Sequence, residues 1–397
     1  MSTLQSLFGE DAGILQDTNF RLLLLSTMFP ILGTSLVSPI LESVIEPFGA
    51  TTANIGLMVS VMTAPGIVLI PTAGLLSDRY GRKPVLFTSL LLFGVGGSAI
   101  AFTTDFRVVL LLRGIQGVGF AGLVPVITSS IGDLFDHSAE LTGQGLRMGV
   151  NGLSGATFPL LSGFLVAFAW HYPFLLYATA IPIAVLVGLF FDDPTDAEAD
   201  ETPESTEEES YRHGLLTLVR HPYVFAFLLA RSLPTIVWIG FFTYNSIVIV
   251  RVLGGDPFQA GIMVAIGNLF FGLSSTQSGR VISRFDDVLT PLMLANLVMV
   301  IGFVTIFSAL NMAIVLVGIV LTGVGVGIGL TMFRSIITGL APIEYRGGIV
   351  SLSAATIATA TGAMAAYAQV RFTFKVKLAS GVAFFVIAMG GYLVGHE

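Results

Sequence analysis

The feature that most constrains this chain is a series of long apolar runs separated by short polar segments. A helix needs about 20 apolar residues to cross the hydrocarbon core of a bilayer. Within lipid, every backbone N–H and C=O must bond inside the protein, and an α-helix achieves this alone. The sequence therefore predicts an all-α membrane protein with about twelve transmembrane helices. The predicted spans are 21–44, 53–76, 84–103, 107–131, 144–168, 173–190, 223–250, 258–280, 290–309, 312–334, 348–370 and 379–395.

The composition excludes several classes of protein. Hydrophobic residues make up 54% of the chain and charged residues 11%, whereas soluble domains carry about 25% charged residues. There is no cysteine, so disulfides, thiol catalysis and cysteine-ligated metals are excluded. The sequence contains no Walker loop, zinc-binding spacing or nucleophile elbow, and its basic clusters are too sparse for a nucleic-acid surface. We therefore expect no enzyme activity, metal, cofactor or nucleic-acid partner.

One long connection, 191–222, divides the predicted spans six and six. Ten acidic residues and no basic residue lie between Asp192 and Glu209, and a segment of this kind buries too little apolar area to fold. Without these acids the formal net charge would be −7 + 10 = +3. We expect an N-terminal six-helix bundle over 1–190, an acidic cytoplasmic linker over 191–222 and a C-terminal six-helix bundle over 223–397.

Lysine and arginine in the loops predict the orientation, because short cytoplasmic loops carry more of both residues. With the N-terminus inside, eleven basic residues fall on the inner side and five on the outer side. We therefore predict a multi-pass protein of the plasma membrane with both termini cytoplasmic. Only three of the 18 basic residues are lysine, and this, together with the acidic linker, suggests a halophilic prokaryote as the source.

The two halves of the chain share two short motifs. The loop after the second span contains Gly74 and Arg79, and the loop after the eighth contains Gly279 and Arg284, both at an offset of 205 residues. Gly117-Val-Gly119 in the fourth span recurs as Gly323-Val-Gly325 in the tenth, at an offset of 206. Two matches at nearly one offset indicate an internal duplication, an architecture typical of alternating-access transporters.

The sharpest motif is the loop Gly74-Leu-Leu-Ser-Asp-Arg-Tyr-Gly-Arg-Lys83. Its glycines permit a tight turn, its acid can pair with a neighbouring helix N-terminus, and its basic residues can bridge to acids on adjacent loops. We predict that such a cluster latches an inner gate, the alternative being a basic anchor that only fixes topology. The candidate gating residues are Gly74, Asp78, Arg79, Gly81, Arg82, Lys83 and Asp133, with Gly279 and Arg284 from the second copy.

This loop resembles the signature that the major facilitator superfamily carries between its second and third helices, and the resemblance extends over nearly the whole chain. It implies twelve transmembrane helices in two pseudo-symmetric six-helix bundles around a central cavity. It also implies a monomer in the lipid bilayer that carries a small-molecule substrate by alternating access, with protons as the coupling ion.

Arg113 lies within the fourth span, where a charged residue costs at least about 2.5 kcal/mol. The run Arg113-Gly-Ile-Gln-Gly-Val-Gly119 is similar to the superfamily's fourth-helix motif, which in proton-coupled drug antiporters is associated with proton transfer. An ideal helix counted from Arg21 places Glu42 about 31 Å further along, in the same outer third as Arg113. We hypothesise a Glu42–Arg113 pair that couples transport to protons; the alternative is that Glu42 faces outer water.

The fifth span carries small residues on one face, Gly149, Gly155 and Gly163, with an interruption at Pro159. The stretch from Phe158 to Gly163 resembles the antiporter signature Gly-Pro-x-x-Gly-Gly, although Phe158 and Ser162 replace two of its glycines. A helix-packing seam explains the same glycines without a function in transport.

Polar residues within spans usually face the protein interior. We predict that several line the substrate cavity; interhelical hydrogen bonding is the competing explanation. These residues are Gln116, Asn151, Arg231, Tyr244, Asn245 and Asn268. The resulting hypothesis is a secondary active transporter that exports drug-like or small organic compounds by proton antiport. The alternatives are a carrier of a hydrophilic metabolite or organic anion, and a non-transporting membrane receptor or scaffold.

Overall fold

A computed structural model describes residues 9–52, 54–193, 238, 245–285, 289–308 and 311–340. Every regular element in these ranges is helical, and they contain no strand. The predicted all-α class is therefore confirmed. The described residues do not include the linker beyond residue 193, most of the seventh predicted span, or the eleventh and twelfth spans.

The described helices correspond to predicted spans one to six and eight to ten, and we keep these span numbers below. Six of them are long and apolar enough to cross a membrane, or seven if the bent second span is counted as one. Spans one to six are Thr18–Ile40, Leu57–Thr63 with Gly66–Tyr80, Arg82–Phe102, Phe106–Leu134, His137–Leu165 and Tyr172–Phe190. Spans eight to ten are Pro257–Ile282, Leu289–Phe307 and Met312–Leu340, and a π-helix over Ile247–Val252 lies at the end of span seven.

The first two spans are interrupted, although the sequence predicted continuous helices. Span one tightens into a 3-10 turn at Ser38–Ile40 and continues as irregular turns past Glu42. Pro39 lacks an N–H and therefore removes one hydrogen bond from the helix. Span two breaks at Ala64 and Pro65 before the helix Gly66–Tyr80 begins. Positions beyond these breaks do not follow the rise of an ideal helix.

Side-chain caps fix where several spans begin. Asp105 accepts a hydrogen bond from the N–H of Arg107 at 2.8 Å at the start of span four. Asp256 and Gln259 form a reciprocal capping box at the start of span eight, where Pro257 occupies the first helical position. Such caps satisfy backbone N–H groups that the first helical turn leaves unpaired. Both of these span starts therefore lie close to their predicted positions.

Spans three and four pack backbone against backbone. A Cβ built on Gly119 would lie 2.4 Å from the carbonyl oxygen of Ser89 and 2.5 Å from the amide nitrogen of Phe93. From the other helix, a Cβ on Gly96 would lie 2.8 Å from the amide nitrogen of Gln116. Only glycine permits such an approach, which is how helices associate closely in lipid.

Spans nine and ten repeat this contact in the second half. A Cβ on Gly325 would lie 2.5 Å from both the carbonyl oxygen of Ala295 and the amide nitrogen of Met299. A Cβ on Gly302 would lie 2.5 Å from the amide nitrogen of Thr322. Every residue named in this contact lies 206 positions after the residue that occupies the same place between spans three and four. For example, 325 − 119 = 206 for the two glycines. The internal duplication thus extends from the sequence motif to the packing.

The close approach of spans three and four predicts a large effect of a small substitution. We expect Gly119→Ala to lower the free energy of unfolding by about 1–3 kcal/mol, because the added methyl group forces the two backbones apart. Gly325→Ala should have an effect of the same sign in the second half. The measurement is thermal unfolding of the purified chain in detergent.

Gly114→Ala is the matched control, because it lies in the same helix and its nearest neighbour would be a side-chain carbon of Val61 at 3.9 Å. This control should leave stability unchanged or raise it by up to about 1 kcal/mol, because alanine is more favourable than glycine in a helix interior. Equal effects of Gly119→Ala and Gly114→Ala would contradict the packing described here.

Candidate functional site

A cluster around Arg82 joins the loop after span two to the end of span four. Nε of Arg82 donates to Oδ2 of Asp133 at 2.8 Å, and its Nη1 donates to Oγ of Ser77 at 2.5 Å and to Oδ1 of Asp78. The Arg82 side chain is 10% exposed, whereas those of Asp78 and Asp133 are 60% and 36% exposed. The cluster therefore holds a nearly buried guanidinium between two carboxylates that water reaches.

The carboxylate of Asp193, which follows span six, also belongs to this cluster. Its carboxylate accepts hydrogen bonds from the N–H groups of Arg82 at 3.1 Å and Lys83 at 2.9 Å, at the N-terminus of span three. The sequence assigned the helix N-terminus to Asp78, but Asp193 occupies it and Asp78 pairs with Arg82. Gly81 has φ +90°, and a Cβ there would lie 2.4 Å from Oδ2 of Asp193, so glycine is required at this turn.

The ends of spans one, two, three, four and six meet at this cluster. Asn19 at the start of span one exchanges two hydrogen bonds with the backbone of Asp192, at 3.1 and 2.9 Å. We call this side of the molecule the Arg82 end. In the second copy of the loop motif, Gly279 and Arg284 are exposed. Arg79 is also exposed, and its guanidinium lies 5.5 Å from the ring centroid of Tyr80.

Arg113 is fully buried inside the first half of the chain. Its Nη1 lies 2.5 Å from Oε1 of Gln116, 3.3 Å from Oη of Tyr177 and 3.4 Å from Sδ of Met62. Its Cζ lies 5.6 Å from the Tyr177 ring centroid. Gly97 leaves the necessary room, because a Cβ there would lie 2.5 Å from Nε2 of Gln116.

The described contacts of Arg113 are therefore with neutral groups only. Within the part of the chain that the structure describes, Nε and Nη2 of Arg113 and Nε2 of Gln116 have no hydrogen-bond partner. A buried charge without a counter-charge is costly. This environment favours any step that brings negative charge or an acceptor to the site.

The hypothesised Glu42–Arg113 pair is wrong in this structure. Glu42 instead pairs with Arg251 at the end of span seven, with Oε1 of Glu42 2.6 Å from Nη2 and 2.8 Å from Nε. The prediction assumed an ideal helix through Glu42, whereas the chain leaves the α-helix near Pro39. We call the side that carries Glu42 and Arg251 the Glu42 end.

Spans five and eight form a seam between the two halves at the Glu42 end. A Cβ on Gly163 would lie 2.5 Å from the carbonyl oxygen of Pro257, and one on Gly261 would lie 2.4 Å from that of Pro159. Further along, Nδ2 of Asn268 donates to the carbonyl oxygen of Gly155 at 2.6 Å. The small residues of span five thus pack against span eight.

Toward the Arg82 end, the glycines of these two helices have no close neighbour among the described atoms. Among the described atoms, nothing lies within 4 Å of a Cβ built on Gly145, Gly149 or Gly152 of span five. The same holds for Gly272 and Gly279 of span eight. In the described part of the chain, the seam between the halves is therefore closed at the Glu42 end and open at the Arg82 end.

The predicted cavity residues have different environments. Gln116 is buried beside Arg113, and Asn151 is half-buried on span five. Asn245 and Asn268 each donate to a backbone carbonyl on another helix, Asn245 to Ala260 at 2.9 Å. Arg231 and Tyr244 lie outside the described residues.

Sequence reasoning missed Arg251, Asp193 and Tyr177 as site residues. Glu42 and Arg251 do carry a signal, because they follow the first spans of the two halves and bear opposite charges on the same predicted side. The sequence pattern places Asp193 only in the acidic linker. Tyr177 carries no charge, and its role depends on packing that the sequence does not reveal.

Comparison with known proteins identifies the family of the chain. A sequence model of the Major Facilitator Superfamily matches residues 23–367. The bacillibactin exporter of Bacillus subtilis (strain 168) is 28% identical over 335 residues, which are 81% of this chain and 81% of that protein. The multidrug transporter MdfA of Edwardsiella piscicida is 25% identical over 321 residues, which are 77% of this chain and 76% of that protein.

Solved structures show the same fold. A bacterial homologue of the human lysosomal transporter Spinster, in an inward-facing and unoccupied conformation, superimposes with a TM-score of 0.75 at 15% identity. The superposition covers 99% of this chain and 97% of that one. The chain belongs to the Major Facilitator Superfamily, and it is therefore a secondary active membrane transporter and not an enzyme.

Proposed function

We propose that this chain exports drug-like or other small organic compounds, neutral or anionic, across the plasma membrane in exchange for protons. The observation that carries the proposal is the fully buried Arg113 with its neutral surroundings. The exporters named above support the direction of transport, and the resemblance of the fourth span to the proton-antiporter motif supports protons as the coupling ion. Transport as a monomer, with both termini in the cytoplasm, belongs to the same proposal.

The buried charges favour neutral or anionic substrates. Within the described ranges, the charged residues that are buried are Arg82, Arg113 and Arg147, and all three are cationic. A positively charged compound would meet repulsion from Arg113, whereas an acidic group would compensate a charge that is costly when unpaired. This argument also keeps an organic-anion carrier as the second candidate.

Arg113 acts on protons through its charge, because a guanidinium does not lose its own proton in proteins. A fixed positive charge lowers the proton affinity of nearby groups, and a bound anion cancels part of that field. Substrate binding and proton binding are thereby linked through one residue. Linkage of this kind is reciprocal, so protons affect substrate affinity as much as substrate affects proton affinity.

The two ends of the molecule supply the alternating access. The described seam is open at the Arg82 end, which we propose faces the cytoplasm, so a cytoplasmic compound would enter from there. The Arg82 cluster ties the loop after span two to Asp133 and Asp193, and Asp78 pairs with Arg82 inside it. We propose that this loop forms part of the inner gate when the Arg82 end closes.

Transport by purified protein tests the proposed function. In proteoliposomes with an acidic lumen, we expect accumulation of sulforhodamine B, an anionic dye, and little accumulation of the cation ethidium. Collapse of the pH gradient with an ionophore should abolish the accumulation. Preference for ethidium would contradict the assigned substrate class, and accumulation that survives the ionophore would contradict proton coupling.

Replacing Arg113 should abolish the coupling of dye transport to protons while the dye still crosses the membrane down its own gradient. We expect Arg113→Gln to reduce proton-driven dye accumulation by at least about tenfold, equal to about 1.4 kcal/mol of coupling, while downhill dye exchange continues. Arg107→Gln is the control, because Arg107 is exposed on the same helix. Proton-driven accumulation that is unchanged in Arg113→Gln would remove Arg113 from the mechanism.

Removing one acid from the Arg82 cluster should impair the gate. We expect Asp133→Asn to destabilise the loop by about 1 kcal/mol, discounted because the Asp133 side chain is one-third exposed, and to slow dye transport. Asp136→Asn, three residues further at an exposed position without a side-chain cap hydrogen bond, should transport normally. Equal transport rates in the two variants would show that the Arg82–Asp133 pair has no part in gating.

A further inference from the structure

An apolar groove lies between spans eight, nine and ten, in the half of these helices nearest the Arg82 end. It has a volume of about 110 Å³, and all the residues that line it are apolar. Two side chains from each helix define it, and we call it the Val298 groove: Val281 and Phe285, Leu294 and Val298, and Val324 and Ile328. Because a cavity without polar partners does not hold water well, this groove favours a hydrocarbon chain.

The Val298 groove opens toward the side of span nine that contacts lipid. Leu294, which lines the groove, is 46% exposed, and Leu297 and Ile301 on the same helix are both 49% exposed. Pro291 and Val298 both line the groove, and seven residues of helix span about 10 Å. The groove therefore extends from the start of span nine about 10 Å along the helix, as an acyl chain in the bilayer does.

Two arginines lie beside the mouth of the groove. Arg280 and Arg284 each directly precede a groove residue on span eight or in the turn that follows it, and both are exposed. Leu273 lies seven residues before Arg280, on the same helix face, and is 54% exposed. The lipid-facing stripe of span eight thus ends in two cations.

Neither arginine has a counter-charge in the part of the chain that the structure describes. Nη1 of Arg280 donates to Oε1 of Gln277 at 2.9 Å, which is a neutral partner, and the ion pairs found there involve other residues. Position 283 corresponds to Asp78 of the first copy at the offset of 205, and it carries serine. An anion at this surface would therefore meet two available guanidinium groups, which bind phosphate well.

The start of span nine lies at the same mouth. This helix begins at Leu289, and Pro291 in its first turn lines the groove. The N-terminus of a helix carries a partial positive charge that favours an anion. Positive charge at the mouth and an apolar surface behind it match a ligand with an anionic head and a hydrocarbon tail.

We propose that the Val298 groove binds an anionic glycerophospholipid, with one acyl chain in the groove and its phosphate on Arg280 and Arg284. A zwitterionic phospholipid has the same chains, but its head group adds a cation that the arginines repel. Anionic lipids and clusters of basic residues meet at the cytoplasmic face of membranes, which the Arg82 end is proposed to face. The bound lipid joins span eight to spans nine and ten, and its binding does not depend on what the protein transports.

Native mass spectrometry of the full chain in detergent, freed of lipid, tests the head-group contact. We expect one dioleoyl-phosphatidylglycerol to bind at least about threefold more tightly than dioleoyl-phosphatidylcholine. Arg280→Gln and Arg284→Gln should each weaken phosphatidylglycerol binding about three- to tenfold. Arg21→Gln, at an exposed position of span one at the same end, is the control and should bind as the parent does. Asp286 and Asp287, which lie outside the described residues, stay unchanged in every variant.

A second pair of variants tests the acyl-chain contact without a change of charge. Val298→Phe narrows the groove and should weaken phosphatidylglycerol binding about threefold or more. Ile301→Phe, on the exposed face of the same helix, should not. Phosphatidylglycerol should also raise the Tm of the parent protein, whereas sn-glycerol 3-phosphate, which has the phosphate but no chains, should not.

Equal binding of the two lipids by the parent would overturn the proposal, as would unchanged binding in both arginine variants, since the contact would then be that of any surrounding lipid. Parent-like binding by Val298→Phe would remove the groove from the site. Stabilisation by sn-glycerol 3-phosphate equal to that by phosphatidylglycerol would identify a site for free phosphate instead of lipid. These measurements need neither substrate nor a proton gradient, so they stand apart from the transport experiments.

Discussion

The architecture depends on helices that approach each other with no side chain between them. Gly119 places span four directly against the backbone of span three, and Gly325 does the same for spans ten and nine. In lipid, the hydrophobic effect does not drive helices together, so close van der Waals contact must hold them. These two seams hold spans three and four, and spans nine and ten, in close contact. A movement between the halves would leave the packing within these two helix pairs intact.

The contacts between the halves combine the same close backbone approach with polar contacts. At the Glu42 end, spans five and eight approach backbone to backbone, and the halves are also joined by the Asn268 hydrogen bond, the Glu42–Arg251 ion pair and hydrogen bonds to Thr52 and Ser246. The polar contacts among them break and form at modest cost, because charged and amide groups regain partners in water. Arg113, by contrast, is enclosed within the first half among neutral groups. The chain thus keeps Arg113 inside one half and places exchangeable polar contacts between the two halves.

Features that depend on short-range chemistry were predictable from the sequence. The apolar runs predicted the described spans, and the duplication was visible in Gly117-Val-Gly119 and its copy before its packing was known. Contacts across the fold were harder to predict. The sequence predicted the wrong arginine as the partner of Glu42, because the regular helix ends near Pro39. No local sequence pattern predicts the π-helix that brings Arg251 to Glu42. Asp193 reaches the N-terminus of span three only because span six ends beside it.

Hydrogen–deuterium exchange of the full chain in nanodiscs tests the central claim most directly, namely that the two halves open one end as they close the other. Exchange is compared between acidic and neutral pH after correction for the intrinsic rates. The account predicts opposite changes in protection at residues 143–152 with 272–285, at the Arg82 end, and at residues 155–163 with 257–261, at the Glu42 end. Parallel changes at both ends, or no change at either, would contradict it.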